Sequence, residues 1–500
     1  MTQRDLRDYQ EAAINSLRSS LASGNRRVIL QMPTGAGKTA TAAAIIRSAL
    51  GNGKRIIFTV PALSLIEQTI ESFKRDGIYD IGVIQGIHEL TDRSQPVQIC
   101  SVQTLSRRFL PQADLVLIDE AHVVFKLYDR WFNDPEWKNI PIIGLTATPW
   151  TKGLGKLYQD LVIGTTTQQL IDSNFLSPFR VFAPTHPDLE DLKTVAGDYD
   201  LDGLDKAMNK TQLTADIVQT WLEKGESRPT LCFAVNRAHA ANISDAFNKA
   251  GIRSGYMDGM TPVEEREEMF ASFRDGQYKI LCNVGVLTTG VDLPLVSCLI
   301  LARPTKSEIL FTQIMGRGLR VSDGKADLLV LDHSDTTQRL GFVTDIHHDQ
   351  LDDGTKRVSS GSRDKDDEPL PKECPSCTYL RPAKVKVCPN CGFEPKPLSG
   401  VRIVEGELKE VKGKGKNKTY EGVISEYDQR EKFFRELIGI AKEKRYKQGW
   451  AYFQYRDRYQ KDPEKTFLST PLPPSLETTG WVKHMWIKKR KAAEKRNAFR

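Results

Sequence analysis

Between residues 27 and 148, short apolar runs at 28–30, 55–60, 115–118 and 140–145 alternate with longer stretches of helical periodicity. The runs are continuous rather than alternating, which is the pattern of strands buried on both faces of a parallel sheet covered by helices. A second set, at 230–235, 279–284, 298–302 and 328–331, follows a less regular segment and is again separated by helical stretches such as 262–273. The pattern predicts an α/β fold of two tandem parallel-sheet domains, residues 1–165 and 166–345. Residues 346–371 are polar and charged, with too little apolar content to offset the entropy of ordering, and read as a flexible linker. After a short cysteine-bearing segment at 372–397, the aromatic-rich stretch 427–459 has helical character, so residues 398–500 read as a helical C-terminal module.

Composition agrees with several cores rather than one, since the chain has 500 residues of which 39% are hydrophobic. The start of the chain has no charged, apolar and cleavable run of the export type, and no apolar stretch nears the roughly 20 residues that span a bilayer. The expectation is a cytoplasmic protein, of a bacterium or a phage-infected host, with no membrane partner. The net charge of +7 is unevenly placed: residues 401–500 hold 25 Lys and Arg against 14 Asp and Glu, while the first 400 hold 46 against 50. A basic C-terminal segment suits a polyanion, although a Lys-rich helix face is also compatible with plain solvation. Cys100, Cys232, Cys282 and Cys298 stand singly inside apolar runs and read as small buried hydrophobes.

Chemistry enters with Met32-Pro-Thr-Gly-Ala-Gly-Lys-Thr39, which follows a strand and precedes the Ala-rich helical stretch 40–50, the context of a phosphate-binding loop. Thr34, Gly35, Ala36 and Gly37 form the turn, whose N–H groups and helix N-terminus face negative charge. Lys38 is expected at the β- and γ-phosphates of ATP, and Thr39 at Mg²⁺ through its hydroxyl. Met32 occupies the place of the usual first glycine. Leu115-Val-Leu-Ile-Asp-Glu-Ala-His122 is a buried strand that ends in two acids at the carboxyl edge of the sheet. There Asp119 suits a hold on Mg²⁺, and Glu120 suits the base that orients and deprotonates an attacking water.

With these motifs the chain resembles the superfamily 2 helicases and translocases, DEAH-box in spelling at 119–122, over residues 6 to about 335. Within them it is similar to the group of restriction-enzyme motor subunits and phage branch-migration helicases, of a phage or prophage type. The resemblance implies two RecA-like domains. Leu6-Arg-Asp-Tyr-Gln10 looks like the adenine-reading motif, which implies that Gln10 hydrogen-bonds the base while Arg7 packs on its face. The stretches 60–68 and 101–105 resemble motifs that hold a nucleic-acid backbone without base preference. Thr146-Ala-Thr-Pro149 is similar to the motif coupling ATP state to strand movement. In the second domain, residues 233–237, Thr288-Thr-Gly-Val-Asp292, with Gly290 and Asp292 toward the nucleotide, and Gln313-Ile-Met-Gly-Arg-Gly-Leu-Arg320 match the remaining motifs. Arg317 and Arg320, three apart on an expected helix, can both point at a γ-phosphate held by the first domain, with Gln313 beside them. Because RNA-directed DEAD-box relatives usually carry Asp at the position of His122 and Ser at that of Thr146, the spelling favours DNA.

Cys374, Cys377, Cys388 and Cys391 form two C-x-x-C knuckles ten residues apart, four thiolates for a tetrahedral Zn²⁺ in a short ribbon. Such a closed site is structural. Arg381, Lys384 and Lys386 decorate the ribbon, which can grip DNA, staple a small fold or dock a protein. The tail from 431 to 463, with its aromatic run at 449–459, resembles C-terminal modules on phage and prophage helicases, its aromatics either stacking on bases or forming a small core. The expectation from sequence is an ATP-dependent DNA helicase or translocase on forked, branched or double-stranded DNA in replication or recombination, with replication or recombination proteins as possible partners of the ribbon and tail. An RNA-directed helicase and an ATP-switched nucleic-acid clamp or docking protein are the alternatives.

Overall fold

The computed structural model describes residues 5–355 except 185, 188, 190–191, 196–197, 210 and 288–291, then residues 370–394, and most of 426–486. The first domain is a seven-stranded parallel sheet of β1 (Arg27–Gln31), β2 (Ile56–Val60), β3 (Ile81–Ile84), β4 (Val97–Ser101), β5 (Leu115–Asp119), β6 (Ile142–Thr146) and β7 (Asp160–Ile163), in the order β3-β4-β2-β5-β6-β1-β7. Adjacent residues of one strand feed opposite faces. Val28 and Leu30 join the core under the helices Asp8–Ala22, Lys38–Leu50 and Ile66–Arg75, while Ile29 joins Val116, Ile118, Tyr128 and Trp131 on the other side. This two-sided burial is why the strands read as unbroken apolar runs.

The second domain has β8 (Phe179–Phe182), β11 (Thr230–Phe233), β12 (Ser254–Met257), β13 (Ile280–Asn283), β14 (Cys298–Leu301) and β15 (Leu328–Asp332), all parallel, in the order β12-β13-β11-β14-β15-β8. A small antiparallel pair, β9 (Thr194–Val195) and β10 (Asp198–Tyr199), stands between β8 and β11 in the chain. Cys232 stands opposite Cys282 in the register of β11 and β13, and all four single cysteines are fully buried, as small core residues should be. One continuous apolar cluster runs through both domains, joining Met32 and Ala36 to Leu176, Ile314 and Met315. The two domains therefore share a packed interface beside the phosphate loop.

Two expectations need correction and a third, the helical character of 427–459, gains detail. The stretch 346–371 does not begin as free chain: Asp352 accepts from Gly153 N at 3.1 Å through its carboxylate and from Gly155 N at 2.8 Å through its carbonyl, and His348 lies 5.1 Å from the Trp150 ring. Its polar composition concealed these contacts because they are made mostly by carboxylate and backbone groups. The stretch 427–459 is two helices, Glu426–Glu443 and Trp450–Tyr459, with Gly449 between them. Arg320 lies beyond the helix Glu308–Gly318 that carries Arg317.

The ribbon strands β16 (Lys372–Glu373) and β17 (Leu380–Arg381) lie at the edge of the second sheet. Tyr379 bridges Phe182 with rings 5.5 Å apart, and Ala183 N donates to Thr378 O at 3.0 Å. Edge strand β8 is covered rather than left open to pairing with another chain. The C-terminal unit, 395–500, has its own small core of Phe433, Leu437, Ile440, Ala451, Tyr455, Phe467 and Val482, with the Arg458 guanidinium 4.2 Å over the Phe433 ring. Most of its aromatics thus form a core, while Phe453 and Trp486 are exposed. Among the described residues no helix is long and apolar enough to cross a membrane.

Candidate active site

The phosphate loop leaves β1 at Gln31 and turns into the helix Lys38–Leu50 at Gly37, whose φ of +79° a side chain would resist. A Cβ there would also meet the Gln10 amide at 2.6 Å. Met32, where the motif expects glycine, is fully buried in the interdomain core. The departure is absorbed by packing and does not obstruct the loop. Gln10 accepts from Arg7 N at 2.9 Å and donates to the carbonyls of Ala36 and Gly37 at 3.2 and 3.3 Å. Tyr9 donates to Ala36 O at 2.9 Å, and the Arg7 guanidinium stacks on Phe175 at 4.1 Å.

Lys38 is half-buried and donates to Met32 O at 3.3 Å. Burial pulls its pKa down against the opposing pull of Glu120 and Asp119. Asp119 is pushed up to about 7, by burial first and by the Glu120 charge second. Burial also pushes Glu120 up, but the His122 hydrogen bond and the Lys38 charge outweigh it and hold the carboxyl low. Glu120 has a φ of +46°, a left-handed conformation that costs a non-glycine residue roughly 1–3 kcal/mol. Its N–H bonds Asp119 Oδ1 at 3.0 Å, and the backbone of Ala121 is tied to Leu145 O at 3.0 Å, which holds the turn.

His122 ties the acid pair to the second domain. Its Nδ1 lies 2.9 Å from Thr146 Oγ1 and 3.3 Å from Glu120 Oε2, while its Nε2 lies 3.2 Å from Gln313 Nε2. With the amide as donor, Nδ1 carries the proton and bridges Thr146 and Glu120. Gly316, on the helix of Gln313, presses on the loop so closely that a Cβ would sit 2.5 Å from Thr34 Cβ. Arg317 follows it into the cleft, buried, its pKa lowered to about 10 by burial and by Arg320. Arg320 pairs with Asp292.

These groups enclose a cavity of about 420 Å³ bordered by Lys38, Thr39, Asp119, Glu120, Arg317 and Arg320, with Arg7 and Phe175 at one side. Thr34, Gly35, Gly37 and Asp292 border it too, whereas Ala36 presents its carbonyl to Gln10 and Gln313 acts through His122. Gly290 lies outside the described residues. A hydroxyl at Thr39 and a carboxylate at Asp119 are the hard oxygen donors Mg²⁺ takes. Phe175 was not legible in the sequence, being a lone aromatic between domains outside any motif.

The four ribbon cysteines converge with every Sγ within 4.8 Å of the others. Cys374 and Cys391 are 3.7 Å apart, and Cys377 and Cys388 3.8 Å. Thiolates bonded to a tetrahedral Zn²⁺ at about 2.3 Å stand about 3.8 Å apart, so the donor set fits that ion and is far from disulfide geometry. Arg381, expected on the ribbon surface, is buried and donates to the carbonyls of Val385 and Lys386, both at 2.7 Å. Its charge organises the second knuckle, which leaves Lys384 and Lys386 exposed. His186 fastens the ribbon to the second domain, with Asp335 at 2.7 Å and Glu373 at 2.9 Å.

Residues 3–151 match the family model described as Type III restriction enzyme, res subunit, and residues 209–322 match that of the Helicase conserved C-terminal domain. The chain belongs to the superfamily 2 helicases. It is by family an ATP-hydrolysing helicase or translocase. A 51.5 kDa protein of a Lactococcus phage is 28% identical over 73% of this helicase and 78% of its own length. The DNA 3'-5' translocase XPB2 of Sulfurisphaera tokodaii is 24% identical over 65% and 81%. The fold is similar to that in the ATP-dependent Type ISP restriction-modification enzyme LlaBIII bound to DNA, at a TM-score of 0.50 and 18% identity over 66% of this helicase and 28% of that chain. This helicase spans about half the length of several other curated relatives it matches.

Two outcomes follow from this geometry. Gly316→Val should keep nucleotide affinity within a few-fold, because the loop N–H groups and Lys38 belong to the other domain and keep their sequence, yet lower turnover by roughly 10²-fold or more, as the helix bearing Arg317 is pushed off Thr34. Single-turnover hydrolysis beside equilibrium binding checks this, and unchanged turnover would disprove the close approach. Cys377→Ser should lower bound zinc by one equivalent and speed amide exchange at Ala183, whose N–H bonds the ribbon. Metal analysis with hydrogen exchange measures both.

Proposed function

We propose that this helicase is a DNA-stimulated ATPase that translocates on DNA, with forked or branched DNA of phage replication or recombination as its substrate. The supporting observation is the Glu120–His122–Gln313 chain, which joins the acid pair of one domain to the arginine helix of the other. With Arg317 and Arg320 at the same cavity, hydrolysis depends on closure of the cleft. Lys38 holds and neutralises the phosphates, Thr39 and Asp119 hold Mg²⁺, Glu120 receives the proton of the attacking water, and the arginines meet the charge that develops. Arg7 and Phe175 take the adenine side, while Gln10, expected to bond the base, is buried and holds the loop through Arg7, Ala36 and Gly37 instead. Bound Mg²⁺ would supply charge neutralisation between the phosphates. Opening after hydrolysis lets the strand contacts of the two domains alternate, giving a step.

DNA rather than RNA is supported by His122 and Thr146, whose bond couples the acid pair to the end of β6, and by the DNA named for the archaeal translocase and for LlaBIII. The ribbon holds structural Zn²⁺ and shields β8. Lys38→Ala should lose ATP binding and hydrolysis together, whereas Glu120→Gln should keep ATP binding and lose turnover by roughly 10²- to 10⁴-fold, since an amide cannot accept the proton. Nucleotide binding and ATPase rates with duplex, forked and four-way DNA and with RNA test the reading. Equal loss of ATP affinity in both variants, or stimulation by RNA alone, would contradict it.

A further inference from the structure

At the end of the first sheet formed by β3, β4 and β2, three loops are tied together. Gln103 Nε2 donates to Pro61 O at 2.6 Å, His88 Nε2 meets Glu67 Oε1 at 2.7 Å, and Arg108 donates to Gly86 O at 3.2 Å. The loops follow β2, β3 and β4, at the same carboxyl edge as the phosphate loop and Asp119 but at the far end of the strand order. Such cross-ties make the surface rigid, yet it turns apolar side chains outward. Ile87 is 100% exposed, Phe109 89% and Leu63 49%. Ile87 and Phe109 each stand one residue past a partner of the Arg108–Gly86 bond, which ties their two loops together. Arg107 and Arg108 are exposed with them, against Glu67, which is engaged by His88, and Glu89.

Large apolar groups turned outward on loops held by polar ties are a poor surface for an isolated soluble domain. The same set is the equipment of a single-strand binder, with an aromatic face for a base and guanidinium groups for phosphates. We infer that Phe109, with Arg107 and Arg108 beside it in the loop, stacks on an unpaired nucleobase of a strand leaving the motor. This rests on the DNA-motor reading above and deepens it. The stretches 60–68 and 101–105 were assigned backbone contacts only, whereas this platform touches a base and would meet the strand where a duplex frays.

The test uses the full-length protein as wild type, Phe109→Ala, Phe109→Trp and Arg107→Ala, with a single-stranded oligonucleotide carrying 2-aminopurine. Phe109→Ala should bind roughly 5- to 100-fold more weakly and lose the stacking quench of 2-aminopurine, while Phe109→Trp should restore both. Arg107→Ala should instead keep the quench at saturation and reduce the slope of log affinity against log salt by about 0.7. Because Phe109 is exposed, loss of fold does not confound the result. Unchanged affinity and quench in Phe109→Ala, with a wild type whose ATPase responds to DNA, would overturn the stacking site and leave the motor reading intact. A wild-type ATPase indifferent to every DNA would overturn that reading instead, and the stacking site with it.

Discussion

Charge drawn even partly out of water must be matched, and the cleft between the two domains gathers half-buried Lys38, Asp119 and Glu120 and buried Arg317 around one cavity. Two of these side chains are acidic and two basic, so each acid has a counter-charge, but the match is made across domains. Lys38 and the acids come from the first sheet, and Arg317 comes from the second. The apolar cluster joining Met32 and Ala36 to Leu176, Ile314 and Met315 holds the cleft together, and the charge cluster gives it a reason to respond to an anionic ligand. A triphosphate would change the balance of the cluster more than any neutral molecule could. The same ligand therefore bears on chemistry and on domain closure.

The geometry that supports this response is costly locally and is stabilised by its surroundings. Glu120 sits in a left-handed conformation held by its bond to Asp119 and by the neighbouring backbone. His122 turns that strained position into a contact with Thr146 behind it and Gln313 across the cleft. At the β8 edge of the second domain the cysteine ribbon plays a different part. It lies on β8, and the His186 bridge to Asp335 and Glu373 makes it an extension of that domain rather than a loosely tethered appendage.

The runs that became β1, β2, β5, β6, β11, β13, β14 and β15 were legible because strands buried on both faces leave no polar interruptions. Strands such as β3, β7 and β8 were not, for they lie at sheet ends, are four residues long, and carry Gly82, Asp160 and Arg180. The motif residues of the cleft could be named because phosphate chemistry restricts both residue type and spacing. Phe175 could not, since a lone aromatic carries no pattern. Arg381 was read as surface charge because nothing in a sequence says that a guanidinium will be spent on two backbone carbonyls. Arg320 was placed on a helix that ends two residues earlier, where the chain instead bridges to Leu176.

The account stands on the second domain completing a site that the first domain cannot finish alone. The most direct measurement is single-turnover ATP hydrolysis by Arg317→Ala in the presence of DNA, set beside its nucleotide affinity. The predicted result is a rate lower by about 10³-fold or more with affinity changed only a few-fold, the behaviour of an arginine that meets the charge of the transition state. A wild-type rate in that variant would contradict the account, because the buried guanidinium would then be no more than packing in the interface.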